Sequence, residues 1–265
     1  ASVASYFDMD PSTGVLTVKA GVTLDHEATP TLTATAEVED DNPTFGNRIT
    51  SRAFTVVILD VDEEPTCLDT LLSVPELSAT GTVVAAGVGC EDPDIRSSNP
   101  DVLSFEIVSG NDDGAFSVAA TAGESQAFTL TVADSEQLDY EGQLWHNLTL
   151  RATDSDGLTT TYRVDVRMVD VREAPVFAPS PAEVDTDEDT PVGSAVHTFG
   201  ATDPDGDRMF WTVDVPAFSM DGSVLRVAQT LDYEAVQWYN LTPGCYSTNS
   251  TNGRDSDDFK AILAQ

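Results

Sequence analysis

The chain has 265 residues, of which 46 are acidic and 12 are basic, and its formal net charge is −34. This charge disfavours anionic partners such as nucleic acids and acidic membrane surfaces, and it favours cations. A hydrophobic content of 40% is sufficient for a folded core. The sequence has no run of about 18 apolar residues, so we predict neither a membrane-spanning helix nor direct membrane insertion of this segment.

Alternation of apolar and polar residues, which is typical of β-strands, runs along most of the chain. It is clear at residues 55–59, 128–132 and 162–166, each bounded by turn-forming residues. Helical periodicity is nearly absent, and a short helical turn is predicted only in the tail, at residues 257–265. The pattern predicts an all-β protein.

Several short motifs recur along the chain in a fixed order. Leu-Asp-Tyr-Glu occurs at 138–141 and 231–234, with Leu-Asp-His-Glu at 24–27. Asp-Pro-Asp occurs at 92–94 and 203–205, and Asp-Val-x-Glu-x-Pro at 60–65 and 170–175. Most of these pairs lie about 110 residues apart, which is the length of one β-sandwich. The chain is therefore predicted to contain tandem modules.

The proline that ends each Asp-Val-x-Glu-x-Pro motif cannot donate to a β-ladder, so we place the module boundaries there. The prediction is a partial module at 1–63, a complete one at 64–174 and a partial one at 175–265, in a piece of a longer polypeptide. After Thr242 the repeat ends, because Pro243 stands where Leu150 stood. We therefore expect the divergent tail, from about residue 243, to lack the closing strands and to be loose or non-native.

The acidic residues gather at four recurring places per module: a first-loop Glu, an Asp-x-Asp, an Asp-x-Glu and the linker. Alternation by two predicts that both acids of each pair point to the same side. Converging carboxylates repel one another unless a cation lies between them. Ca²⁺ prefers such oxygen ligands, whereas Mg²⁺ accepts few carboxylates and Zn²⁺ prefers His or Cys. The pattern predicts Ca²⁺ sites, with a solvated, salt-adapted acidic surface as the alternative.

These motifs together resemble an array of cadherin repeats over residues 6–242. The resemblance rests on Phe-x-Met-Asp-x-x-Thr-Gly-Val-Leu at 7–16, the Leu-Asp-Tyr-Glu motifs, Arg-Ala-Thr-Asp-Ser-Asp-Gly at 151–157 and the linker at 170–175. It implies tandem seven-stranded Greek-key β-sandwiches of the cadherin-like or Ig-like type. It also implies an extracellular, membrane-anchored protein that mediates cell–cell or cell–matrix adhesion with other cadherin-like ectodomains or with cell-surface and matrix ligands.

The family pattern also implies two sets of calcium ligands, with up to three ions at each junction. The first junction takes Asp25, Glu27, Asp62, Glu63, Glu76, Asp92, Asp94 and Asp154, and the carbonyl of Asn99. The second junction takes Asp139, Glu141, Glu173, Glu188, Asp203 and Asp205. Arg172 departs from the pattern because it stands where an oxygen ligand of the third ion at the second junction is expected.

Two kinds of covalent modification are also suggested by the sequence. Asn147, Asn240 and Asn249 each begin an N-glycosylation motif. Cys67 and Cys90 lie symmetrically about the turn predicted at residues 78–79 and are candidates for a disulfide, although a free buried thiol fits nearly as well.

Enzymatic functions fit the sequence poorly. Carboxylate pairs could serve glycoside hydrolysis, but here they recur in each repeat, which suits a scaffold better than one active site. No nucleophilic triad or phosphate-binding loop is found. A carbohydrate-binding β-sandwich is the better rival, although the sequence shows no clear row of solvent-facing aromatic residues. The sequence therefore predicts a non-enzymatic, calcium-stiffened rod.

Overall fold

The computed structural model describes residues 3–40, 44, 48–95, 102–179, 183–247, 255–256 and 259–264. These residues divide into two compact units. Unit 1 comprises Ala1–Leu72, Ala79–Gln137 and His146–Arg167, and unit 2 comprises Ser73–Ser78, Leu138–Trp145 and Met168–Gln265. Across the described residues, no helix has the length and apolar character needed to cross a membrane. The predicted division into three modules stays a prediction.

The secondary structure is almost entirely β, as predicted. A short helix, α1 (Val3–Tyr6), and a 3₁₀ helix (Ser135–Gln137) are the helical elements of the described residues. The strands of the first 169 residues are β1 (Phe7–Met9), β2 (Leu16–Val18), β3 (Thr31–Glu39), β4 (Ile49–Val57), β5 (Thr66–Cys67), β6 (Thr70–Pro75), β7 (Val83–Glu91), β8 (Ser104–Ser109), β9 (Phe116–Ala120), β10 (Ala127–Val132), β11 (Trp145–Thr153) and β12 (Thr159–Val169). The later strands are β13 (Val176–Phe177), β14 (Glu183–Asp187), β15 (Ala195–Thr198), β16 (Ala201–Thr202), β17 (Met209–Thr212), β18 (Phe218–Asp221), β19 (Val224–Val227), β20 (Trp238–Leu241), β21 (Gly244–Ser247), β22 (Asp255–Ser256) and β23 (Phe259–Ala264).

Strands β5 to β12 form two four-stranded sheets, in the orders β5-β7-β10-β9 and β6-β12-β11-β8. The first strand of the sandwich is split into β5 and β6, one in each sheet. The seven strands of the sandwich therefore form eight segments, four in each sheet. Non-consecutive neighbours in both sheets give the Greek-key connectivity that the sequence predicted. The predicted fold class is confirmed.

The sandwich core follows the period-two alternation of its strands. Phe128, Leu130 and Val132 of β10 are buried, as are Leu148 and Leu150 of β11. Because successive side chains of a strand point to opposite faces, one face of each strand supplies the core. The strands predicted at 128–132 and 162–166 are confirmed by β10 and β12.

The N-terminal part of unit 1 consists of two hairpins, β1–β2 and β3–β4, of which β3 and β4 pair in register over nine residues. Its core is small and is formed by Val3, Leu32 and Ile58. The predicted strand at 55–59 ends earlier, at Val57, and Ile58 then turns inward while its N–H donates to the Pro30 carbonyl at 3.0 Å.

Unit 2 has a core of its own, built by Phe199, Phe218, Leu225, Val227 and other buried residues in and between strands β15 to β20. Phe177, which lies on β13, contacts the rings of Phe199 and Trp211 edge to face.

The described part of the tail forms strands, and the helical turn that we predicted for residues 257–265 is wrong for 259–264, which form β23. Residues 248–254, 257–258 and 265 lie outside the described residues. β21 pairs with β17, and β23 pairs with β14 and β20. Pro243 does not prevent this because it lies between β20 and β21, where no ladder N–H is needed. The expectation that the chain lacks closing strands after Thr242 is therefore also wrong.

A buried histidine in β11 predicts that the stability of unit 1 depends on pH. His146 is fully buried, its Nδ1 lies 3.3 Å from Asp113 Oδ2, and its ring packs on Phe116. Burial lowers the pKa of His146 below 6.5, while Asp113 opposes this shift. The unfolded chain therefore binds the proton first, so the His146 contribution is complete above pH 6.5 and is lost as the pH falls below it. In saturating calcium, the fall in melting temperature from pH 7.5 to 5.5 should be smaller for His146→Gln than for the wild type. An equal fall in both proteins would contradict this prediction.

Candidate metal centres

The Leu-Asp-x-Glu motifs form the same turn at all three positions. The Oδ1 atom of Asp25, Asp139 and Asp232 accepts a backbone N–H three residues later, at 2.6, 2.8 and 3.0 Å. The carbonyl of each Asp also accepts the N–H four residues later. An Asp side chain that caps a turn in this way is a local device that needs no tertiary contact. The repeated motif is therefore a repeated local structure.

This turn corrects one argument from the sequence. We predicted from strand alternation that the two acids of each motif share a side, but neither 139–141 nor 92–94 lies in a strand. The Asp side chain caps the turn instead, and the turn directs the following Glu.

Three aspartates hold one carboxylate oxygen on the backbone and leave the other without a hydrogen-bond partner. Asp154 Oδ1 accepts the N–H groups of residues 156, 157 and 158 at 2.9, 2.6 and 2.9 Å. Asp92 Oδ1 accepts the N–H of residue 94 at 2.9 Å, and Asp203 Oδ1 accepts the N–H of residue 207 at 3.0 Å. The Oδ2 atom of each of the three is buried and unpaired. Buried anionic oxygens are costly unless a partner compensates them.

The linkers are attached to the acidic loops by matching hydrogen bonds. The Glu63 N–H donates to Asp94 Oδ2 at 2.8 Å, and the Glu173 N–H donates to Asp205 Oδ2 at 2.8 Å. Both bonds join the Glu of a linker to the second acid of an Asp-Pro-Asp motif. The linkers are thus held against the loops by the same contact in both units.

The first carboxylate cluster, in unit 1, contains the linker acids and the acids of three loops. Carboxylate oxygens of Glu27, Glu63 and Asp94 lie within 4.8 Å of one another, and His26, Glu27 and Asp60 form an adjoining group at the same spacing. Desolvation, followed by the charges of Glu27 and Asp94, raises the pKa of Glu63.

Asp62 belongs to the same cluster. Desolvation raises its pKa, and the carboxylates of Asp154, Asp156, Asp94 and Asp92 raise it further. Asp92 itself is 4% exposed, and burial raises the pKa of this carboxyl as well. The first cluster therefore carries more negative charge than its surroundings compensate.

The second carboxylate cluster, in unit 2, is centred on Glu76, which is 2% exposed. Its Oε2 accepts the Tyr140 N–H and its Oε1 accepts the Val171 N–H, both at 2.7 Å. One carboxylate oxygen each from Glu76, Glu141 and Asp170 lie within 4.8 Å of one another. One side chain thus joins the Leu-Asp-Tyr-Glu turn to the start of the linker.

The acids of the second cluster also raise one another's pKa values. Desolvation raises the pKa of Glu173, and the charges of Glu76, Glu141 and Asp205 add to it. The pKa of Glu141 is raised by desolvation and, among other acids, by Glu76. The pKa of Asp170 is raised by desolvation and by Asp205, although Arg172 opposes this.

Glu76 and Glu188 do not lie where the sequence placed them. We assigned Glu76 to the first junction, but its N–H donates to the Val169 carbonyl at the end of β12, just before the second linker. Glu188 was assigned to the second junction, but it lies with Asp232 and Glu234 in a third carboxylate cluster, where its Oε2 accepts the Tyr233 N–H at 2.8 Å. The first-loop Glu of each repeat therefore lies beside the Leu-Asp-Tyr-Glu turn that follows it in the chain. It does not lie beside the linker that precedes it.

Other predicted residues are placed as follows. Asn147 and Asn240 are exposed, on β11 and β20. Asn99 and Asn249 lie outside the described residues. Cys67 and Cys90 form a disulfide, and Cys245 is buried and not disulfide-bonded.

Sequence reasoning missed several residues of these clusters. Asp60 and Asp170 open the two linkers at matching positions, and this repetition was a usable signal. Gln126 had no such signal: its Nε2 donates to the carbonyls of Asp92 and Ile95 at 3.0 and 2.9 Å, and its Oε1 accepts the Asp92 N–H at 3.2 Å. This side chain, which lies just before β10, holds the Asp92 loop in place.

The donor set fits a hard divalent cation. The first two clusters offer carboxylate oxygens, several of them already fixed by backbone N–H groups, together with unpaired buried oxygens at Asp92, Asp154 and Asp203. Ca²⁺ takes six to eight such oxygens in flexible geometry, whereas Zn²⁺ prefers nitrogen and sulfur. Among the described residues, His26 is the histidine that lies in one of the groups of possible metal ligands, together with Glu27 and Asp60. Its Nδ1 lies 2.7 Å from the Ile58 carbonyl oxygen.

Comparison with known proteins agrees with this architecture. The cadherin domain model matches residues 70–169. Chicken Cadherin-1 is 30% identical over 255 residues, covering 89% of this chain and 28% of that protein. Mouse Protocadherin Fat 4 is 30% identical over 247 residues, covering 89% of this chain and 5% of that protein.

A solved structure of three ectodomain repeats of mouse Cadherin-23 (EC22-24) has the same fold. It aligns with a TM-score of 0.62 at 22% identity, covering 98% of this chain and 82% of that one. The chain spans less than a third of the length of the two curated relatives. Residues 70–169 are a cadherin domain, and the chain is a homologue of cadherins and protocadherins over most of its length.

Proposed function

We propose that the first and second carboxylate clusters bind Ca²⁺ and that binding stiffens the linkers of an extracellular, non-enzymatic adhesion module. The observation that carries the proposal is the set of buried, unpaired Oδ2 atoms on Asp92, Asp154 and Asp203. Each belongs to a carboxylate whose other oxygen is held by the backbone, and two of the three recur at matching positions of the repeat.

The ligands of the first cluster are Asp25, Glu27, Asp62, Glu63, Asp92, Asp94 and Asp154, with Asp60 added by the geometry. Those of the second are Glu76, Asp139, Glu141, Glu173, Asp203 and Asp205, with Asp170 added. Arg172 occupies the position that corresponds to Asp62, so the second cluster has one carboxylate fewer in its linker.

The mechanism rests on what these side chains do to the linkers. Without a cation, the acids of each cluster repel one another, as their raised pKa values indicate, and the linkers are held by a few hydrogen bonds such as Glu63 N–H to Asp94. A bound Ca²⁺ supplies compensating charge and oxygen coordination. The linker and loop carboxylates are then drawn together, so that residues 60–65 and 170–175 lose their freedom to bend.

The proposed place of action is supported by the relatives of this chain. The relatives of this chain are cadherins and protocadherins, which supports a position on the cell surface and adhesion through other cadherin-like ectodomains. A cell-surface or matrix ligand is the second possible class of partner. A stiffened segment can transmit force between such contacts, which a flexible one cannot.

Chelation tests the proposal on the intact chain. We expect EDTA to lower the melting temperature and to increase protease cleavage near Pro65 and Pro175, because the acids repel one another when no cation is bound. Extracellular calcium modules typically bind at about 10⁻⁴–10⁻³ M, so a calcium titration over that range should reverse both effects. Calorimetry and limited proteolysis measure them.

The same titration separates the alternatives. A salt-adapted acidic surface predicts stability that follows molar NaCl and ignores millimolar calcium. A carbohydrate-binding module predicts binding to a glycan array whether or not EDTA is present. Cleavage that is unchanged by the chelator would exclude the calcium mechanism.

A further inference from the structure

The Cys67–Cys90 disulfide joins the two chain segments that carry ligands of the first cluster. Cys67 ends β5 and Cys90 lies near the end of β7, and the two face each other in the antiparallel pair. Glu63 lies four residues before Cys67, and Asp94 lies four residues after Cys90. Segments 63–67 and 90–94 are therefore joined by the disulfide at one end and by the hydrogen bond from Glu63 N–H to Asp94 at the other.

The strand that the disulfide holds is short. β5 contains two residues and pairs with β7 through them alone, Thr66 with Glu91 and Cys67 with Cys90. A two-residue strand at a sheet edge is weakly held by its ladder. The linker residues just before it, which include Glu63, depend on that attachment for their position.

Unit 2 contains the same arrangement without the covalent bond. β13 pairs with β16 in the corresponding register, Val176 with Thr202 and Phe177 with Ala201. Phe177 lies four residues after Glu173, and Ala201 lies two residues before Asp203, as Cys90 does before Asp92. Here the Phe177 ring packs on Phe199 and Trp211. Both clusters thus have the hydrogen bond from the linker Glu to the Asp-Pro-Asp loop. The short strand that follows the linker is held by a disulfide in unit 1 and by aromatic packing in unit 2.

We propose that the disulfide is a positioning device that holds Glu63 against Asp94 and so raises the calcium affinity of the first cluster. This inference rests on the proposed function. It assigns the disulfide a local role at the cation ligands, distinct from a general stabilisation of the fold. A purely structural disulfide affects the melting temperature of the protein but not the affinity of one cluster measured well below that temperature.

The test is calcium titration calorimetry at 20 °C on a background that isolates each cluster. Asp203→Asn disables the second cluster, so the first can be measured alone, and Asp92→Asn does the reverse. On the first background, Cys67→Ser with Cys90→Ser should weaken calcium binding at least tenfold. On the second background, the same pair should change affinity less than twofold. Cleavage near Pro65 should increase at intermediate calcium, while cleavage near Pro175 should not.

A gain-of-function variant supplies an independent measurement. Phe177→Cys with Ala201→Cys places a disulfide at the matching register of unit 2, and its formation is checked by mass spectrometry. We expect tighter calcium binding at the second cluster. If the serine variant does not fold, this variant decides alone, and unchanged affinity then contradicts the positioning role.

The two proposals fail in different ways. Wild-type protein that binds no calcium overturns the proposed function and the positioning role with it. Wild-type protein that binds calcium at both clusters, with first-cluster affinity unchanged in the serine variant, overturns the positioning role alone.

Discussion

Asp92→Asn is expected to have opposite effects with and without calcium. Burial raises the pKa of Asp92, which means that its charged form is disfavoured in the folded, metal-free protein. Asparagine keeps the Oδ1 acceptor for the residue 94 N–H but carries no charge. In EDTA the variant should therefore melt at the same temperature as the wild type or higher, and in calcium it should melt lower.

The loss in calcium should be confined to one cluster. Removing one carboxylate from a site whose affinity depends on its charge should weaken binding to the first cluster at least tenfold. Protease cleavage in millimolar calcium should then appear near Pro65 and not near Pro175. Asp203→Asn is the matched control, because it presents the same unpaired Oδ2 in unit 2, and it should give the reverse cleavage pattern. Equal cleavage at both linkers in either variant would show that the clusters are wrongly assigned.

Glu76→Ala should destabilise unit 2 strongly in both conditions. It removes two hydrogen bonds from backbone N–H groups to a buried carboxylate, each worth about 1.5–3 kcal/mol, so the expected loss is about 3–6 kcal/mol. Relief of repulsion among the neighbouring acids offsets about 1 kcal/mol per close pair at the dielectric of water, which is too little to reverse the sign. We expect the melting temperature to fall by roughly 10 °C or more.

Two further variants separate hydrogen bonding from charge. Glu76→Gln removes the charge but keeps one carbonyl acceptor, so it should lose about half as much stability in EDTA. Glu188→Ala removes the corresponding bond to the Tyr233 N–H in the third cluster and should also cost less than Glu76→Ala. If Glu76→Ala leaves melting unchanged in EDTA, then the bonds to residues 140 and 171 do not hold the linker.

The fold could be predicted from the sequence wherever local pattern decides it. The alternation in β10 and β11 is visible because each strand has one face in the core. β21 was missed because Pro243 indicates a break, and the sequence does not show that this break falls harmlessly between two strands. The tail strand β23 pairs with β14, more than seventy residues earlier, and no local pattern specifies such a partner.

The candidate sites were predictable in composition but not in grouping. Motif repetition identified most of the acids, because Asp-capped turns are local structures that short sequences can specify. The cluster that each acid joins depends on strand pairing. Glu76 lies beside the second linker because its backbone bonds to Val169, a contact across more than ninety residues. Gln126 binds the Asp92 loop from the residue before β10, and it belongs to none of the repeated motifs.

The three backbone donors on Asp154 Oδ1 bear on the speed of cation capture. These N–H groups fix the carboxylate when the chain folds, so its rotational freedom is already lost before any ion arrives. If the first cluster binds Ca²⁺ as proposed, we expect diffusion and the loss of hydration water, rather than a search by the side chain, to limit the association rate. The lifetime of the stiffened linker would then be set by the dissociation rate of the ion.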